Sequence, residues 1–369
     1  MSADDKLDEH PPTLDDILST IDNIDEQIQA LINQRAVASA QIAQLKHQKP
    51  EALNSKKNQL ARDAKILRQV AARNGGPIDD AALQRIFREI ISASMVLEDP
   101  VQVAYLGPEG TYSHTAAANY FGHSVRTHPQ PGIAEIFDAV EADRAKFGVV
   151  PVENSTEGAV NQTLDLLTQT SLRVCGEVGM RIQHCLLSNG DSLDAIKEVH
   201  AHPQALAQCK HWLAGNLPGA ELISESSNAA AAKLAIERAD IAAIAGETAA
   251  ELYTLNTIEK GIEDEKNNTT RFLVIGNQTI APSGDDSTLL LVSAPHRPGG
   301  LRSLLGPLEE AGVSMTRIES RPSRSALWEY VFFINVNGHE HDDKLSSVLM
   351  QLREFAPLVK VLGSYPRAL

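Results

Sequence analysis

The sequence predicts a multidomain protein with an all-α segment, an α/β segment and a small α+β segment. Three observations predict this division. Over residues 1–99, apolar residues recur at alternating spacings of four and three, which is typical of helices. From Pro100 onward, short apolar runs alternate with helical patterns, as in α/β domains. Finally, a turn-rich linker leads into a βαββαβ pattern, so we expect domains at 1–99, 100–278 and 286–369.

The composition of the chain excludes several classes of protein. Its formal net charge of -15 argues against a nucleic-acid surface. No run of 18 apolar residues is present to span a membrane, and the acidic N-terminus, MSADDKLDEH, lacks the features of a secretory signal. The cysteines do not have the spacing of a metal site, so we expect reduced thiols in a cytoplasmic, metal-free protein. They are Cys175, Cys185 and Cys209.

The N-terminal segment predicts one long helix and two short ones. The apolar residues of the long helix form a seam of the kind that packs against another helix. They are Ile17, Ile21, Ile24, Ile28 and Leu31. Shorter helices are predicted at 60–72 and 79–97, separated by the run NGGP. Three such helices have too little surface to enclose a core, so we expect an interlocked homodimer or a larger homo-oligomer.

Two cations continue the apolar seam of the long helix. Arg35 lies seven residues after Ile28. Lys46 lies about three turns further, roughly 16 Å along the same line. Both therefore point toward a core, where an unpaired charge is costly. Two interpretations stay open. Either Asp or Glu from a neighbouring helix pairs with these cations, or a small dianion bound between them supplies the counter-charge.

The helical segment resembles the all-helical chorismate mutases over nearly all of residues 14–98. The resemblance rests on IDNIDEQIQALINQR at 21–35, Lys46, RDAKIL at 62–67 and IFREIISAS at 86–94. It implies that arginines grip the carboxylates of chorismate while a lysine and a glutamate hydrogen-bond the breaking ether oxygen. The substrate-binding residues it implies are Arg35, Arg62, Ser94 and Gln59, and the catalytic ones are Lys46 and Glu98. A pericyclic rearrangement needs such positioning and charge stabilisation, without a covalent catalyst.

Two positions depart from the mutase pattern. Leu18 stands where the family usually has an arginine that reaches into the partner's site. Gln59 stands where many relatives have a carboxylate. A charged hydrogen bond is worth roughly 1.5–3 kcal/mol, so the loss of one cation facing a dianion weakens the expected mutase site.

Polar motifs mark the ends of several elements in the α/β segment. They are GPEGTYS at 107–113, ENSTEG at 153–158, HPQALAQC at 202–209, SSN at 226–228 and NNTTRF at 267–272. Polar side chains at the carboxyl ends of buried strands are where α/β proteins bind ligands. A glycine-rich loop that opens a helix offers free N–H groups to an anion. Each motif alone is also typical of a helix cap, a turn or an edge strand.

Together, and in this order, these motifs resemble prephenate dehydratase across residues 101–278. The resemblance implies two α/β lobes around a cleft, similar to periplasmic binding proteins, in which helix N-termini hold a dianion. It makes Thr270 the donor to the departing hydroxyl of prephenate, and Arg271 the group that holds a carboxylate. The other substrate-binding residues that it implies are Thr111, Ser113, Asn154, Ser155, Ser227, Asn228 and Phe272. It implies no cofactor and no metal.

The C-terminal segment carries HRPGGL at 296–301 and ESRPSR at 319–324. Both motifs match the ACT domains that are appended to prephenate dehydratases. The resemblance implies a ferredoxin-like fold that binds phenylalanine between two such domains across a dimer interface. The residues that it assigns to this site are Gly299, Gly300, Leu301, Glu319, Ser320, Arg321 and Pro322. A dimerisation module without a ligand is the alternative.

These resemblances imply an enzyme of phenylalanine biosynthesis that converts chorismate to prephenate and then prephenate to phenylpyruvate. Phenylalanine would be its feedback inhibitor. One alternative is a monofunctional prephenate dehydratase whose degenerate helical segment is retained for dimerisation, and Leu18 favours it. A second alternative is an amino-acid sensor without catalysis, which the intact TRF run argues against.

Overall fold

The computed structural model describes residues 12–48, 59–294, 297–322 and 330–368, without the side chains of Lys46 and His47. The N-terminal segment forms three helices: α1 (Leu14–Gln48), α2 (Gln59–Arg73) and α3 (Asp80–Glu98). Both α1 and α2 pack against α3. The side chain of Asp79 caps α3 by accepting a hydrogen bond of 2.8 Å from the Ala82 amide, an interaction worth about 1 kcal/mol. The predicted helical segment is confirmed.

The apolar seam of α1 faces solvent in the single chain. Ile17, Leu18, Ile21, Ile24 and Ile28 each keep between 46% and 50% of their surface exposed. A continuous apolar stripe of this length is not a typical monomer surface. The helix is therefore long enough and apolar enough to pack against something outside its own chain.

The central segment forms two α/β lobes. The first lobe begins with β1 (Gln102–Leu106), α4 (Tyr112–Phe121), β2 (Arg126–Gln130), α5 (Ile133–Glu141), β3 (Phe147–Asn154), β4 (Gly158–Ala159), α6 (Asn161–Gln169) and β5 (Arg173–Arg181). The second lobe contains β6 (Cys185–Ser188), β7 (Glu198–Ala201), α7 (Pro203–Gln208), α8 (Lys210–Asn216), β8 (Glu221–Ser224), α9 (Asn228–Ala235), β9 (Ile241–Ala245), α10 (Glu247–Tyr253) and β10 (Asn256–Lys260). The chain then returns to the first lobe as β11 (Thr269–Gly276). The expected two-lobed α/β architecture is confirmed.

The sheets of the two lobes contain both parallel and antiparallel strand pairs. In the first lobe the order is β2-β1-β3-β11-β5. Strands β1, β2 and β3 run parallel, whereas β11 is antiparallel to both of its neighbours. In the second lobe β6 is antiparallel to β9 and β10. The reason is topological, because the chain crosses between the lobes twice and β11 must enter the first sheet from the opposite end.

The C-terminal segment forms the predicted βαββαβ unit. Its elements are β12 (Asp286–Ser293), α11 (Gly300–Glu310), β13 (Met315–Pro322), β14 (Tyr330–Asn337), α12 (Asp343–Phe355) and β15 (Leu358–Pro366). The antiparallel sheet has the order β13-β14-β12-β15, so β13 is an edge strand. One face of the sheet packs on α11 and α12.

The other face of this sheet packs on the first lobe. Leu289, Leu291 and Phe333 of the C-terminal sheet share one apolar cluster with Ile136 and Leu167 of the first lobe. The backbones also approach closely, because a β-carbon added at Gly363 would lie 2.1 Å from the carbonyl oxygen of Val174. Each fully buried apolar side chain of this size contributes about 1.5–3 kcal/mol, so this is a structural core and not a loose contact.

The helical segment docks on the carboxyl end of α4. The guanidinium of Arg88 donates to the Tyr120 carbonyl (2.9 Å). The Ser92 hydroxyl accepts from the Ser124 amide (3.2 Å). The close approach of α3 to the end of α4 requires a glycine at position 122. The φ of Gly122 is 75°, and a β-carbon there would lie 2.5 Å from the β-carbon of Ser92.

Within the described parts of the chain, no helix is long and apolar enough to cross a bilayer. The same parts contain no group of three His, Cys, Asp or Glu side chains arranged to hold a metal ion. The cysteines are buried free thiols, as the sequence predicts.

Candidate active sites

A cavity of about 420 Å³ lies between the two lobes. The first residues or caps of four helices line it: Tyr112 of α4, Gln204 of α7, Asn228 of α9 and Gly246 before α10. Helix N-termini carry free amides and a partial positive charge, so they favour an anion. The described lining contains no lysine or arginine. An anion bound here therefore depends on backbone amides and neutral side chains.

Strand β11 places its residues on opposite sides of the sheet. Thr270 and Phe272 line the cavity, as alternation along a strand requires. Arg271 faces the other way, where its Nε atom lies 3.3 Å from Glu153 Oε2 and its Nη1 atom lies 3.5 Å from Glu177 Oε2. It lines a separate cavity of about 170 Å³ toward the C-terminal sheet. Arg271 therefore does not line the interlobe cavity, and its role in holding a substrate carboxylate stays a prediction.

The hydroxyl of Thr270 receives a hydrogen bond from Asn154. The Oδ1 atom of Asn154 accepts from the backbone amides of Thr156 and Glu157, at 3.0 and 3.2 Å. Its Nδ2 atom therefore faces the other way and donates to Thr270 Oγ1 at 2.8 Å. Because Thr270 is the acceptor in that bond, its own O–H proton remains to be donated elsewhere. The side chain faces the cavity, so the structure leaves a directed donor there.

Five other predicted residues also line the cavity: Thr111, Ser113, Asn154, Ser227 and Asn228. Thr111 and Ser227 additionally cap α4 and α9 by accepting from His114 N and Ala230 N. Ser155 does not line the cavity, and its expected contact with substrate stays a prediction. Its hydroxyl accepts from the Thr269 amide (2.9 Å) and clamps the start of β11 to the end of β3.

The helical segment brings several predicted residues together. The guanidinium of Arg35 on α1 donates to the Ser94 hydroxyl and to the Ile90 carbonyl (3.2 Å) on α3. Gln59 is the first residue of α2. The side chain of Lys46 lies outside the described residues. Both of these acceptors on α3 are neutral oxygens, so an anionic ligand is able to supply the counter-charge of Arg35.

One carboxyl group in this region was not singled out from the sequence. Asp63 of α2 lies among Arg35, Arg62 and Glu98, and its Oδ2 atom is buried without a hydrogen-bond partner in the described structure. Burial raises the pKa of this carboxyl to about 7; Arg35 opposes the rise, and Glu98 adds to it. An acidic residue beside Arg62 in the RDAKIL run was the available signal.

The residues predicted to bind phenylalanine lie at the start of α11 and on β13. Gly299 caps α11 with φ of 82°, Gly300 is buried, and Leu301 is partly exposed. The remainder lie on the edge strand β13: Glu319, Ser320, Arg321 and Pro322. Arg321 reaches the first lobe, where its Nη2 atom lies 2.7 Å from Asp165 Oδ1 and its Nη1 atom donates to Asn161.

Comparison with known proteins agrees with this geometry. Family models match in three parts: chorismate mutase type II over residues 17–99, prephenate dehydratase over 103–280 and the ACT domain over 288–354. A bifunctional chorismate mutase/prephenate dehydratase of Neisseria gonorrhoeae is 48% identical over 367 residues, covering 96% of this chain and 99% of that protein. The chain belongs to the bifunctional chorismate mutase/prephenate dehydratase family.

Two solved structures are similar to most of this family member. Prephenate dehydratase from Arthrobacter aurescens in complex with L-Phe has a TM-score of 0.66 and 33% identity, over 72% of this chain and 90% of that one. A protein described as a novel type of quorum quenching acylase has the same TM-score and identity, over 72% and 98%. Family membership favours the bifunctional interpretation over the monofunctional alternative.

Three residues that line the dehydratase cleft were not predicted from the sequence. Tyr112, His184 and Gln208 line the cavity and are linked: Tyr112 Oη lies 2.8 Å from His184 Nδ1, and His184 Nε2 lies 2.8 Å from Gln208 Oε1. Burial lowers the pKa of the His184 imidazole, which favours the neutral ring. The motif HPQALAQC contains Gln208, but nothing in the sequence joins it to the other two.

Proposed function

We propose that this chain catalyses two consecutive steps of phenylalanine biosynthesis in the cytoplasm. The helical domain converts chorismate to prephenate, and the cleft of the two-lobed domain converts prephenate to phenylpyruvate. Phenylalanine inhibits through the C-terminal domain. The observation that carries the proposal is the hydroxyl of Thr270, which lines the anion-attracting cleft. Because this hydroxyl accepts a hydrogen bond from Asn154, its own proton is available to be donated into the cleft.

The second reaction needs little more than this donor. As prephenate loses CO2, the electron pair of the breaking C–C bond enters the ring, and the C–O bond to the ring hydroxyl breaks. That hydroxyl leaves as water after taking up one proton, and the ring becomes aromatic. Thr270 donates a hydrogen bond to the oxygen as negative charge develops on it. Enclosure between lobes strips water from the departing carboxylate.

Binding of the substrate dianion is assigned to the helix ends that line the cleft. Thr111 and Ser113 lie at the start of α4, and Ser227 and Asn228 at the start of α9. Their hydroxyl, amide and backbone N–H groups are suited to carboxylates, and both helix dipoles favour negative charge. Phe272 supports the unsaturated ring from the strand. This distribution explains how a protein with a net charge of -15 holds an anion.

For the first reaction we propose the residues of the mutase resemblance. Arg35 and Arg62 hold the carboxylates of chorismate, with Ser94 and Gln59 as neighbours. Lys46 and Glu98 stabilise the ether oxygen as its bond breaks. The contact of Arg35 with Ser94 supports a preorganised site. Holding the compact conformer removes much of the entropic barrier.

We further propose a homodimer, or a larger assembly, in which the α1 seam packs against a second copy. The half-exposed apolar residues of α1 support it. Phenylalanine is proposed to bind where Gly299, Gly300 and Leu301 of one copy approach β13 of another. Its binding would favour a less active state of the cleft. The contact of Arg321 with Asp165 offers a direct connection from β13 to the first lobe.

The test is turnover of purified protein on chorismate and on prephenate, assayed separately, with phenylpyruvate detected by ultraviolet absorbance. Both substrates should be consumed, and phenylalanine should inhibit the prephenate reaction. Turnover of prephenate alone would support the monofunctional alternative. A protein that consumes neither substrate would contradict the proposal.

A further inference from the structure

Asn268 is a buried polar residue that no part of the proposed mechanism uses. Only 2% of its surface is exposed. It lies on the segment that carries the chain back from the second lobe, two residues before Thr270. Its Oδ1 atom accepts from Asn154 Nδ2 at 2.9 Å, and its Nδ2 atom donates to Gln208 Oε1 at 3.3 Å. It therefore joins a residue of the first lobe to a residue of the second.

Asn268 belongs to a network of side chains in which the backbone contacts of Asn154 determine which atoms donate and which accept. The amides of Thr156 and Glu157 are backbone donors and cannot be reversed, so Asn154 must present Oδ1 to them. Its Nδ2 group must then donate to both Thr270 and Asn268. Asn268 consequently presents its oxygen to Asn154 and its nitrogen to the second lobe.

The residues of the second lobe are compatible with this assignment of donors and acceptors. Gln208 receives the Asn268 donor on Oε1, and the same oxygen lies 2.8 Å from His184 Nε2. His184 must therefore carry its proton on Nε2, and its Nδ1 atom lies 2.8 Å from the Tyr112 hydroxyl, which also donates to the Gln183 carbonyl oxygen at 2.9 Å. From Asn154 through Asn268 and Gln208 to His184, each donor therefore meets an acceptor, while the buried Nε2 atom of Gln208 has no partner among the described residues.

Asn268 matters to Thr270 because Asn154 has two N–H groups and two acceptors. With the Asn268 oxygen in place, one N–H is committed to it and the other to Thr270. Without it, the Asn154 amide loses one of the contacts that hold its plane, and an unsatisfied buried N–H remains. Rotation of that amide would release the Thr270 hydroxyl to take other rotamers.

We propose that Asn268 is a positioning residue for the dehydratase reaction, which it serves by holding the Asn154 amide so that Thr270 donates its proton into the cleft. The inference rests on the proposed dehydratase function. Because Gln208 holds Asn268 from the second lobe, the orientation of Thr270 depends on the relative position of the two lobes.

The test is a double-mutant cycle of Asn268→Leu and Thr270→Ala with prephenate as substrate. Displacement of a catalytic group by about 1 Å costs up to about 10²-fold, so Asn268→Leu should lower kcat by about 10- to 100-fold. Asn268 also lines the cavity, so KM is measured alongside kcat, and a role exerted through Thr270 predicts that KM stays within about threefold. In the Thr270→Ala background, Asn268→Leu should cause no further loss, because the group that it positions is gone.

Two controls separate positioning from folding. Asn267→Leu makes the same replacement at the exposed neighbouring residue and should leave kcat unchanged. Asn268→Asp keeps an oxygen acceptor for Asn154 but sets its second oxygen against Gln208 Oε1, so it should recover only part of the lost kcat. If Asn268→Leu fails to fold, as seen by circular dichroism, the same cycle is run with Asn268→Ser, which replaces the amide with a smaller polar side chain.

The outcomes are distinguishable. An Asn268→Leu or Asn268→Ser variant that keeps kcat within about threefold of wild type, or whose loss of kcat is the same with and without Thr270, overturns the positioning role alone. A wild-type protein that does not convert prephenate overturns the proposed function, and the inference with it.

Discussion

Neighbouring residues of a single strand have opposite surroundings in this protein. On β11, Thr270 faces the interlobe cavity, whereas Arg271 faces the C-terminal sheet and two carboxylates. Only the first is placed to touch a substrate. Substitutions at these two positions should therefore affect different properties of the protein, catalysis at the first and stability at the second.

Replacement of Thr270 by alanine should lower dehydratase kcat by about 10²- to 10⁴-fold, the usual contribution of a positioned donor or acid. KM should change little, because the bond strengthens mainly as the C–O bond breaks. Steady-state turnover of prephenate at saturating substrate checks this. Thr270→Ser keeps the hydroxyl and should retain much of the activity. A well-folded Thr270→Ala protein within about threefold of wild-type kcat would contradict the proposed role.

Arg271→Ala should destabilise the protein without weakening substrate binding. The change removes the cation that Glu153 and Glu177 share, while Arg317 Nε stays 3.5 Å from Glu153 Oε2. Removing one partner of a buried pair costs about 3–5 kcal/mol, and the partial exposure of Glu153 lowers the expected loss to about 1–3 kcal/mol. Urea denaturation measures the loss, and Arg271→Lys is the charge-matched control. A tenfold increase in the KM for prephenate, with unchanged stability, would restore a substrate-binding role.

Asp63→Asn should stabilise the protein at high pH only. The pKa of Asp63 in the folded state is about 7, above its ordinary value of 3.8, so the folded state binds more protons between these values. The stability contributed by this group is therefore present at low pH and is lost as the pH rises through about 7. Thermal unfolding should give the variant the higher Tm at pH 8 and equal Tm values near pH 4. Equal differences at both pH values would contradict the assignment.

At the scale of elements, α1 combines an exposed apolar surface with the surface that carries Arg35, which is proposed to bind chorismate. Its apolar side chains face away from its own chain, while Arg35 turns toward α3. Leu18 lies on the exposed part, half exposed. A residue there is placed to reach a neighbouring copy and not its own α3.

Leu18→Arg should raise chorismate kcat/KM by about 10- to 100-fold, the equivalent of one charged hydrogen bond of 1.5–3 kcal/mol. Its matched control is Leu14→Arg, one turn earlier and 72% exposed, which should have no effect. Arg35→Ala should nearly abolish chorismate turnover. If Arg35→Ala leaves chorismate turnover unchanged, the helical domain performs no catalysis.

At the scale of the whole molecule, both the helical part and the C-terminal part pack against the first α/β lobe. The C-terminal sheet and the first lobe share an apolar cluster. The helical part is hydrogen-bonded to the last turn of α4 and to the residues after it through Arg88, Glu89 and Ser92. Since α4 begins at the cleft with Tyr112 and ends at this contact, one short helix spans from one proposed site to the neighbourhood of the other.

Removal of residues 286–369 should therefore destabilise the dehydratase lobes as well as abolish inhibition by phenylalanine. The deletion uncovers Ile136, Leu167 and their neighbours in the shared cluster. Loss of several buried apolar contacts of about 1.5–3 kcal/mol each should lower Tm by more than about 10 °C. Differential scanning calorimetry measures this directly. A truncated chain with wild-type Tm would show that the shared core contributes little.

The sequence by itself determined the order and type of the three parts, because helix and strand periodicity and turn residues are local properties. Thr270, Asn154, Thr111 and Asn228 were singled out through the resemblance of their motifs, taken together and in order, to prephenate dehydratase. The sequence did not identify Asp63, His184 or Asn268, whose partners are distant along the chain.

Only the tertiary structure decided which face of β11 meets the cleft, and it placed Arg271 on the opposite face beside Glu153 and Glu177. It also revealed the mixed sheets, because strand direction depends on where the chain re-enters a lobe and not on the residues of the strand. The role of the Thr270 hydroxyl as acceptor from Asn154 is a further feature that only the tertiary structure shows. It is fixed by the amides of Thr156 and Glu157 acting through Asn154, and hydrogen bonds between side chains so distant along the chain leave no periodic pattern in a sequence.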